Sequence, residues 1–381
     1  MLPYIITFIA SCLIAAIGLS IRNRSLFLYR VLIIIAILLP SLLAGFRDSG
    51  VGTDMKVYGD RYFAYAKSIR MSEFFAITDC EYGYGLFVYL IAHFTDTTFW
   101  MYFMIEFFIM MLIWSCIDDY LEDIYKPFAL LTYYLMFYSF SLNLLRQAMA
   151  MAVILYSFKF VRRHKFMPTI LCCLIASLLQ KTSIVSIIIY PIYQVCVTTD
   201  EIENNPRRNY ILKQFVNRYR YYILAIIIIA AMLIIKNARI IITAIYFYLN
   251  DYHAIFYGLQ NSNTNAIVYM LYMLLLILFT AYEMKVHSTY YLFYIIMMGI
   301  SIIMYQLKNV SNAAYRISLY YSIYLVVLLP KMIQEIDNQK NRVISLIVSI
   351  IVMDVYAYDF FISRLYNQTY PYTSMILRIN N

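Results

Sequence analysis

Charge is what this chain has least of. Asp, Glu, Lys and Arg make up 13% of its 381 residues, whereas 63% are hydrophobic, and the mean hydropathy is +0.70. A soluble globular chain is about half apolar and about a quarter charged, so the composition excludes an ordinary water-soluble fold. Motifs of many soluble enzymes are missing too. There is no P-loop, dinucleotide fingerprint, HExxH, nucleophile elbow or triad order. The six cysteines (Cys12, Cys80, Cys116, Cys172, Cys173, Cys196) show no CxxC or other metal-ligand spacing and read as small apolar fillers. The four histidines form no cluster. His164 belongs to a basic loop, and His253, two positions from Asp251, is the one worth testing. There is no repeat, no low-complexity tract and no secretory signal with a small-residue cleavage site, so the first apolar stretch is expected to be the first span.

What is present is a succession of apolar runs of about 16–20 residues, which point to one polytopic membrane domain over residues 1–381. Backbone groups in lipid must bond internally, so the spans are helices despite the excess of Ile, Tyr and Phe. The expected fold is an all-α polytopic integral membrane protein of about 12 transmembrane helices, with a large outer loop after the second. Spans are expected at 3–20, 28–45, 98–117, 127–142, 147–161, 166–179, 183–197, 221–236, 264–282, 289–306, 317–330 and 343–362. Residues 46–97 form the outer loop, with 82–94 as an interfacial or re-entrant helix, and 237–263 form a second outer segment. The net charge of +9 is largely loop bias: this topology puts 17 of the 30 Lys and Arg on the cytoplasmic side.

The chain is organised around Gly45-Phe46-Arg47-Asp48-Ser49-Gly50-Val51-Gly52-Thr53-Asp54, running on through Tyr58. Three glycines in eight residues allow positive φ and close approach to a ligand, with an arginine and two carboxylates beside them. The alternative is a turn with a local ion pair. Arg146 lies between two apolar runs with no acidic neighbour in sequence, so it faces a cavity or a partner, or else pairs with a buried carboxylate. Lys181 and Arg316 stand at span ends, where snorkelling competes with function. The topology places all four basic residues on one side. Convergent arginines suit a diphosphate, whose oxygens guanidinium binds bidentately. Carboxylates among them suit a general base. Asp54 is the first such base and Glu81 the second, the alternative for Glu81 being a helix N-terminal acid. Glu106 and Asp354 read as buried counter-ions for arginine. The acidic run Asp118, Asp119, Glu122 and Asp123 invites a magnesium–diphosphate reading, but it falls on the opposite side and is better explained as a solvated loop.

Taken together, Arg47-Asp48, Val51-Gly52-Thr53-Asp54, Tyr58, Glu81-Tyr82-Gly83-Tyr84, Asn143-Leu144-Leu145-Arg146-Gln147-Ala148-Met149-Ala150, the break between Ala176 and Ser183, Tyr315-Arg316-Ile317-Ser318 and Tyr370-Pro371-Tyr372 form a pattern. In order and spacing it resembles the EpsG-like branch of the Wzy-type O-antigen and exopolysaccharide polymerases, over nearly the whole chain. It departs at Gln180-Lys181-Thr182, where the family often has His before Lys, Ser or Thr.

The resemblance implies a membrane glycosyltransferase on the periplasmic face of the bacterial inner membrane. Donor and acceptor would be undecaprenyl-diphosphate-linked oligosaccharides, with undecaprenyl diphosphate released. Asp54 or Glu81 would be the base. Arg47, Arg146, Arg316, Lys181, Tyr58, Gln147 and Tyr315 would hold diphosphate and sugar. Arginines handling the diphosphate would make a metal or other cofactor unnecessary. Expected partners are the lipid-linked saccharides, membrane lipid, and a chain-length regulator and flippase of the same pathway, with no nucleic acid. An O-antigen ligase shares the donor, and a flippase for the same lipid-linked sugars is the rival outside enzymes. A flippase should show internal repeats and broken midplane helices, and neither is evident.

Overall fold

A computed structural model describes residues 1–196, 272, 290–309 and 312–379. In chain order its helices are α1 (Leu2–Ile21), α2 (Leu26–Phe46), α3 (Arg61–Ser68), α4 (Met71–Thr78), α5 (Tyr82–Phe94), α6 (Thr98–Tyr120), α7 (Lys126–Met136), α8 (Tyr138–Asn143), α9 (Leu145–Arg162), α10 (Phe166–Leu179), α11 (Ile189–Cys196), α12 (Tyr291–Gln306), α13 (Asn312–Ser322), α14 (Leu325–Gln334) and α15 (Gln339–Ala357). The regular elements among the described residues are helical throughout, apart from an isolated bridge between Ser374 and Ile379. Two compact units are distinguished. One holds Met1–Ile184, Leu325–Gln334 and Asn338–Asn381; the other holds Val185–Tyr324 and Glu335–Asp337.

Five described helical segments are long and apolar enough to cross a membrane: Leu2–Ile21, Leu26–Phe46, Thr98–Tyr120, Ala314–Gln334 and Gln339–Ser363. They coincide with the expected spans at 3–20, 28–45, 98–117, 317–330 and 343–362. Apart from residue 272, the expected spans at 221–236 and 264–282, the outer segment 237–263 and His253 lie outside the described residues. The expected span at 127–142 is two helices, α7 and α8, parted at Phe137 where the backbone leaves helical values (φ −129°, ψ −21°). The expected span at 183–197 starts as a 3₁₀ helix, Lys181–Ile188, before α11. Residues 46–97 hold a π-helical turn, Met55–Asp60, and the three helices α3, α4 and α5.

Local chemistry explains how the first unit is assembled. Ser25 caps α2 by accepting from the Leu28 N–H at 3.3 Å, which separates α1 from α2 across a short basic turn. Pro40 inside α2 brings no N–H, so the Ala36 carbonyl one turn earlier loses its helical donor. The hydroxyl of Ser11 on α1 donates to that carbonyl at 2.7 Å, restoring the bond and pinning α1 to α2. Of the four buried residues of α1, Ser11, Ala15 and Gly18 are small enough for close helix approach, and Leu19 is the fourth. Helix α9 is buried on nearly every face and forms the core of the unit, with α6 and α10 against it.

In the second unit, aromatic edges join the described helices. Tyr193 of α11 meets Phe293 of α12 at 5.2 Å between centroids, and Tyr305 of α12 meets Tyr315 of α13 at 5.4 Å.

Candidate functional site

The glycine-rich stretch leaves α2 at Arg47, where the backbone turns extended. Of its three glycines only Gly52 takes a positive φ, +104°, and a side chain there would crowd the Leu142 carbonyl at 3.0 Å. The glycine therefore brings the loop against the end of α8. There Asn143, 5% exposed, accepts through Oδ1 from the Thr53 hydroxyl at 3.0 Å and the Asp54 backbone N–H at 2.9 Å. Asp54 in turn opens the π turn, its carbonyl accepting from the Tyr58 N–H at 2.8 Å. Its carboxylate is only half-buried.

The chain's last residues hold the loop from the other side. The N–H of Asp48 donates to the Thr373 carbonyl at 3.1 Å, and that of Gly52 to the Gln368 carbonyl at 2.9 Å. The Asp48 carboxylate accepts from the Met375 N–H at 2.9 Å. The Ser374 hydroxyl donates to the Phe46 carbonyl at 2.6 Å, and Tyr372 donates to the Leu43 carbonyl at 2.8 Å. Asp48 is thus a fastening for the tail rather than an ion-pair partner of Arg47.

Two arginines stand beside this loop. Arg146 opens α9, and its Nη1 meets Glu81 Oε2 at 2.5 Å. The second Glu81 oxygen accepts from the Lys181 backbone N–H at 3.3 Å. Gly83 makes this possible: its α-carbon lies so close to the Leu178 carbonyl of α10 that an added Cβ would sit 2.8 Å from it. That contact sets α5 against the end of α10 and brings Glu81 to Lys181. The Arg146 guanidinium also lies over the Tyr58 ring, 4.2 Å from its centroid. Tyr84 donates to the Tyr58 carbonyl at 2.8 Å and so steadies that ring.

Arg47 is 6% exposed. Its guanidinium lies 4.7 Å from the Tyr102 ring centroid and its Nη2 reaches the weakly accepting Met55 sulfur at 3.1 Å, but Nε and Nη1 have no hydrogen-bond partner among the described residues. Tyr102 itself donates to Asp60 at 2.5 Å. Both arginines act on the same phenol: burial pushes the Tyr84 hydroxyl up, Arg146 pulls it down, and Arg47 does so more weakly. Tyr62, whose ring meets Tyr58 edge-on, is pushed up to about 12 by burial, with Arg146 opposing.

The structure thus brings Arg47, Asp54, Tyr58, Glu81 and Arg146 into one neighbourhood of the first unit. Lys181 takes part through its backbone, and its side chain is exposed. Gln147 is buried, next along α9 from Arg146. Tyr315 and Arg316 belong to the second unit, where Tyr315 is buried and Arg316 half-buried.

Two sequence expectations are corrected. Among the described residues no arginine pairs directly with Glu106, which accepts from Tyr133 at 2.8 Å and Ser141 at 2.7 Å. Asp354 is exposed rather than buried. The three aspartates of the acidic run at 118–123 are taken up by cations, and Glu122 accepts from the Gln334 amide at 2.7 Å. Lys126 pairs with Asp118 and Asp123 at 2.6 Å each, Arg22 reaches both, and Arg162 and Arg163 share Asp119.

Sequence reading passed over Asn143, Tyr102, Asp60 and the clasping role of the tail. Asn143 stood in plain view three residues before Arg146. Its partners, ninety residues away, did not.

No curated protein and no solved structure matches the chain significantly. The EpsG family does match, over residues 30–374, from the second helix to the tail that clasps the loop. That range carries every residue of the site, and the chain belongs to the EpsG family, as a multi-pass membrane protein of polysaccharide synthesis.

Proposed function

We propose that this protein is a membrane glycosyltransferase that polymerises undecaprenyl-diphosphate-linked oligosaccharide repeat units at the periplasmic face of the bacterial inner membrane. The observation that carries the reading is Arg47: a buried guanidinium with Nε and Nη1 unpartnered among the described residues, in the neighbourhood of Arg146. A buried donor without a partner is destabilising, and phosphate oxygens are the acceptors that guanidinium fits best.

In the proposed reaction an acceptor sugar hydroxyl attacks the anomeric carbon of the donor. The new C–O bond forms as the bond from that carbon to the diphosphate oxygen breaks, and the electron pair leaves with undecaprenyl diphosphate. Arg47 and Arg146 stabilise the charge that grows on the leaving group, where preorganised cations help most. Glu81, bound to Arg146 and to the Lys181 N–H, acts by orienting the arginine. Asp54 accepts the hydroxyl proton, with its backbone set by Asn143. Tyr58 offers a ring for sugar stacking. Gln147 is a further proposed contact, the Lys181 side chain is available for a more distant phosphate or sugar group, and Tyr315 and Arg316 of the second unit are proposed as binding residues from the sequence pattern alone. The scheme calls on no metal or other cofactor.

The test is complementation of a strain lacking its own copy, with surface polysaccharide resolved as a length ladder. Wild type restores the ladder, whereas Arg146→Ala and Asp54→Ala leave single-repeat product when compared per folded protein. A ladder that survives both substitutions overturns the site. Single repeats that never reach the surface without the protein point to export, hence a flippase. Loss of all transfer to the lipid A core points to a ligase.

A further inference from the structure

Within the first unit, a cavity of about 220 Å³ lies between α1, the α7–α8 pair and the last helix, Gln339–Ser363. It is lined by the rings of Tyr4, Phe8, Tyr134, Tyr138 and Phe361 and, among them, by Asp354. Asp354 and Phe361 share one face of the last helix, seven residues apart, so the cavity runs along about two turns. Asp354 is exposed; its backbone carbonyl accepts from the Tyr358 N–H, and no hydrogen bond or ion pair to its carboxylate is found among the described residues. At about 1.5 Å per residue it lies about 13 Å inside the Ser363 end of a membrane-length helix.

A carboxylate at that depth on an exposed face is costly unless it meets a cation or a water-filled cavity. Aromatic faces beside it add a second attraction for a cation. On either side, α1 and the last helix expose aliphatic side chains, Ile5, Ile9, Ile347 and Ile351 among them. The surface is therefore an apolar groove with one acidic point set deep along it.

We propose that this groove docks a transmembrane helix of a partner protein bearing a single arginine or lysine in its outer third. Depth decides between occupants. A lipid headgroup amine stays near the interface, at the edge of a hydrocarbon core about 30 Å thick. A basic side chain carried on a helix is delivered at the level of Asp354. The inference is independent of the polymerase reading and concerns a surface distinct from Arg47, Arg146 and Asp54.

The test uses the full chain in vesicles of phosphatidylcholine and phosphatidylglycerol. A fluorophore-labelled leucine-rich transmembrane peptide carries one arginine at the matching depth, and an otherwise identical peptide carries leucine. Energy transfer to a donor fluorophore on the protein reads association. The arginine peptide is expected to associate about tenfold more strongly. Asp354→Asn removes the preference without loss of thermal stability, and Asp354→Glu keeps it. Equal association of both peptides overturns the proposal, as does a preference that survives Asp354→Asn. If phosphatidylethanolamine added to the vesicles abolishes the preference, the groove belongs to a lipid amine and the proposal fails.

Discussion

The first unit has two polar ends, and they handle buried charge in opposite ways. At the end where α1, α6 and α9 finish, three aspartates face four cations. Lys126, 2% exposed, is held by two carboxylates at 2.6 Å, and Asp119 is shared by Arg162 and Arg163. Every one of these cations has an acid. At the other end, where α2 gives way to the glycine-rich loop and α9 begins, Arg146 has one acid, Glu81, and Arg47 has a methionine sulfur and a ring face. Acid-paired cations tie helices together, with Arg162 Nε the one donor among them that is buried and has no hydrogen-bond partner among the described residues. An arginine left short of acceptors in a buried place is suited to an anion that comes and goes. The comparison therefore separates the clamp from the site.

The strongest challenge to this distinction is Arg146→Gln. It leaves Glu81 buried without its cation, and breaking such a pair costs about 3–5 kcal/mol. Thermal unfolding in detergent should show that loss, and the polysaccharide ladder should vanish. Adding Glu81→Gln should recover most of the stability and none of the ladder. A double variant that recovers the ladder would make the pair a clamp like the one at the other end.

Arg47→Met should lower polymer formation about as far as the removal of one preorganised donor, on the order of a hundredfold. Stability should hold or rise, because the substitution removes two buried donors that lack partners. Loss of stability without a larger loss of polymer would return Arg47 to a structural role. At the acid-paired end the signs reverse. Lys126→Met leaves the partly exposed Asp118 and Asp123 to Arg22 and should destabilise by about 1 kcal/mol, while ladder length per folded protein stays that of wild type. A ladder shortened in proportion to no loss of folded protein would erase the difference between the two ends.

Much of this was legible beforehand. Apolar runs placed helices where α1, α2, α6 and the last helix lie, because a membrane helix needs only length and composition. The stretch at 45–54 and Arg146 stood out because charge is rare in so apolar a chain. What could not be read was pairing. Arg146 meets Glu81 across 65 residues, and this depends on Gly83 bringing α5 against α10, a contact no local pattern announces. Asn143 reaches Asp54 across 89 residues. The break at Phe137 also escaped, since 127–142 keeps the composition of one span while its backbone divides it. Asp354 was misjudged because an acid in an apolar run normally turns inward, whereas here its face of the helix looks into a cavity.

The smallest expected effect extends the comparison to a third way of burying a cation. Lys308, in the second unit, is half-buried against rings, 4.7 Å from the Tyr315 centroid and 5.8 Å from that of Tyr305. Burial pulls its ammonium down to about 8 from its ordinary 10.5. A lysine so lowered binds its proton less well when folded than when unfolded. Between pH 8 and 10.5 the unfolded chain therefore carries the extra proton, and this residue's contribution to stability rises with pH across that window. Below pH 8 both states are charged and the penalty of burying the ammonium is present in full. Lys308→Met should accordingly stabilise the protein at pH 7, with the advantage shrinking as pH rises through the window. Thermal unfolding of both forms at pH 7 and pH 10 checks this. A constant difference would mean that the rings and neighbours of Lys308 carry its charge as fully as the two carboxylates carry that of Lys126.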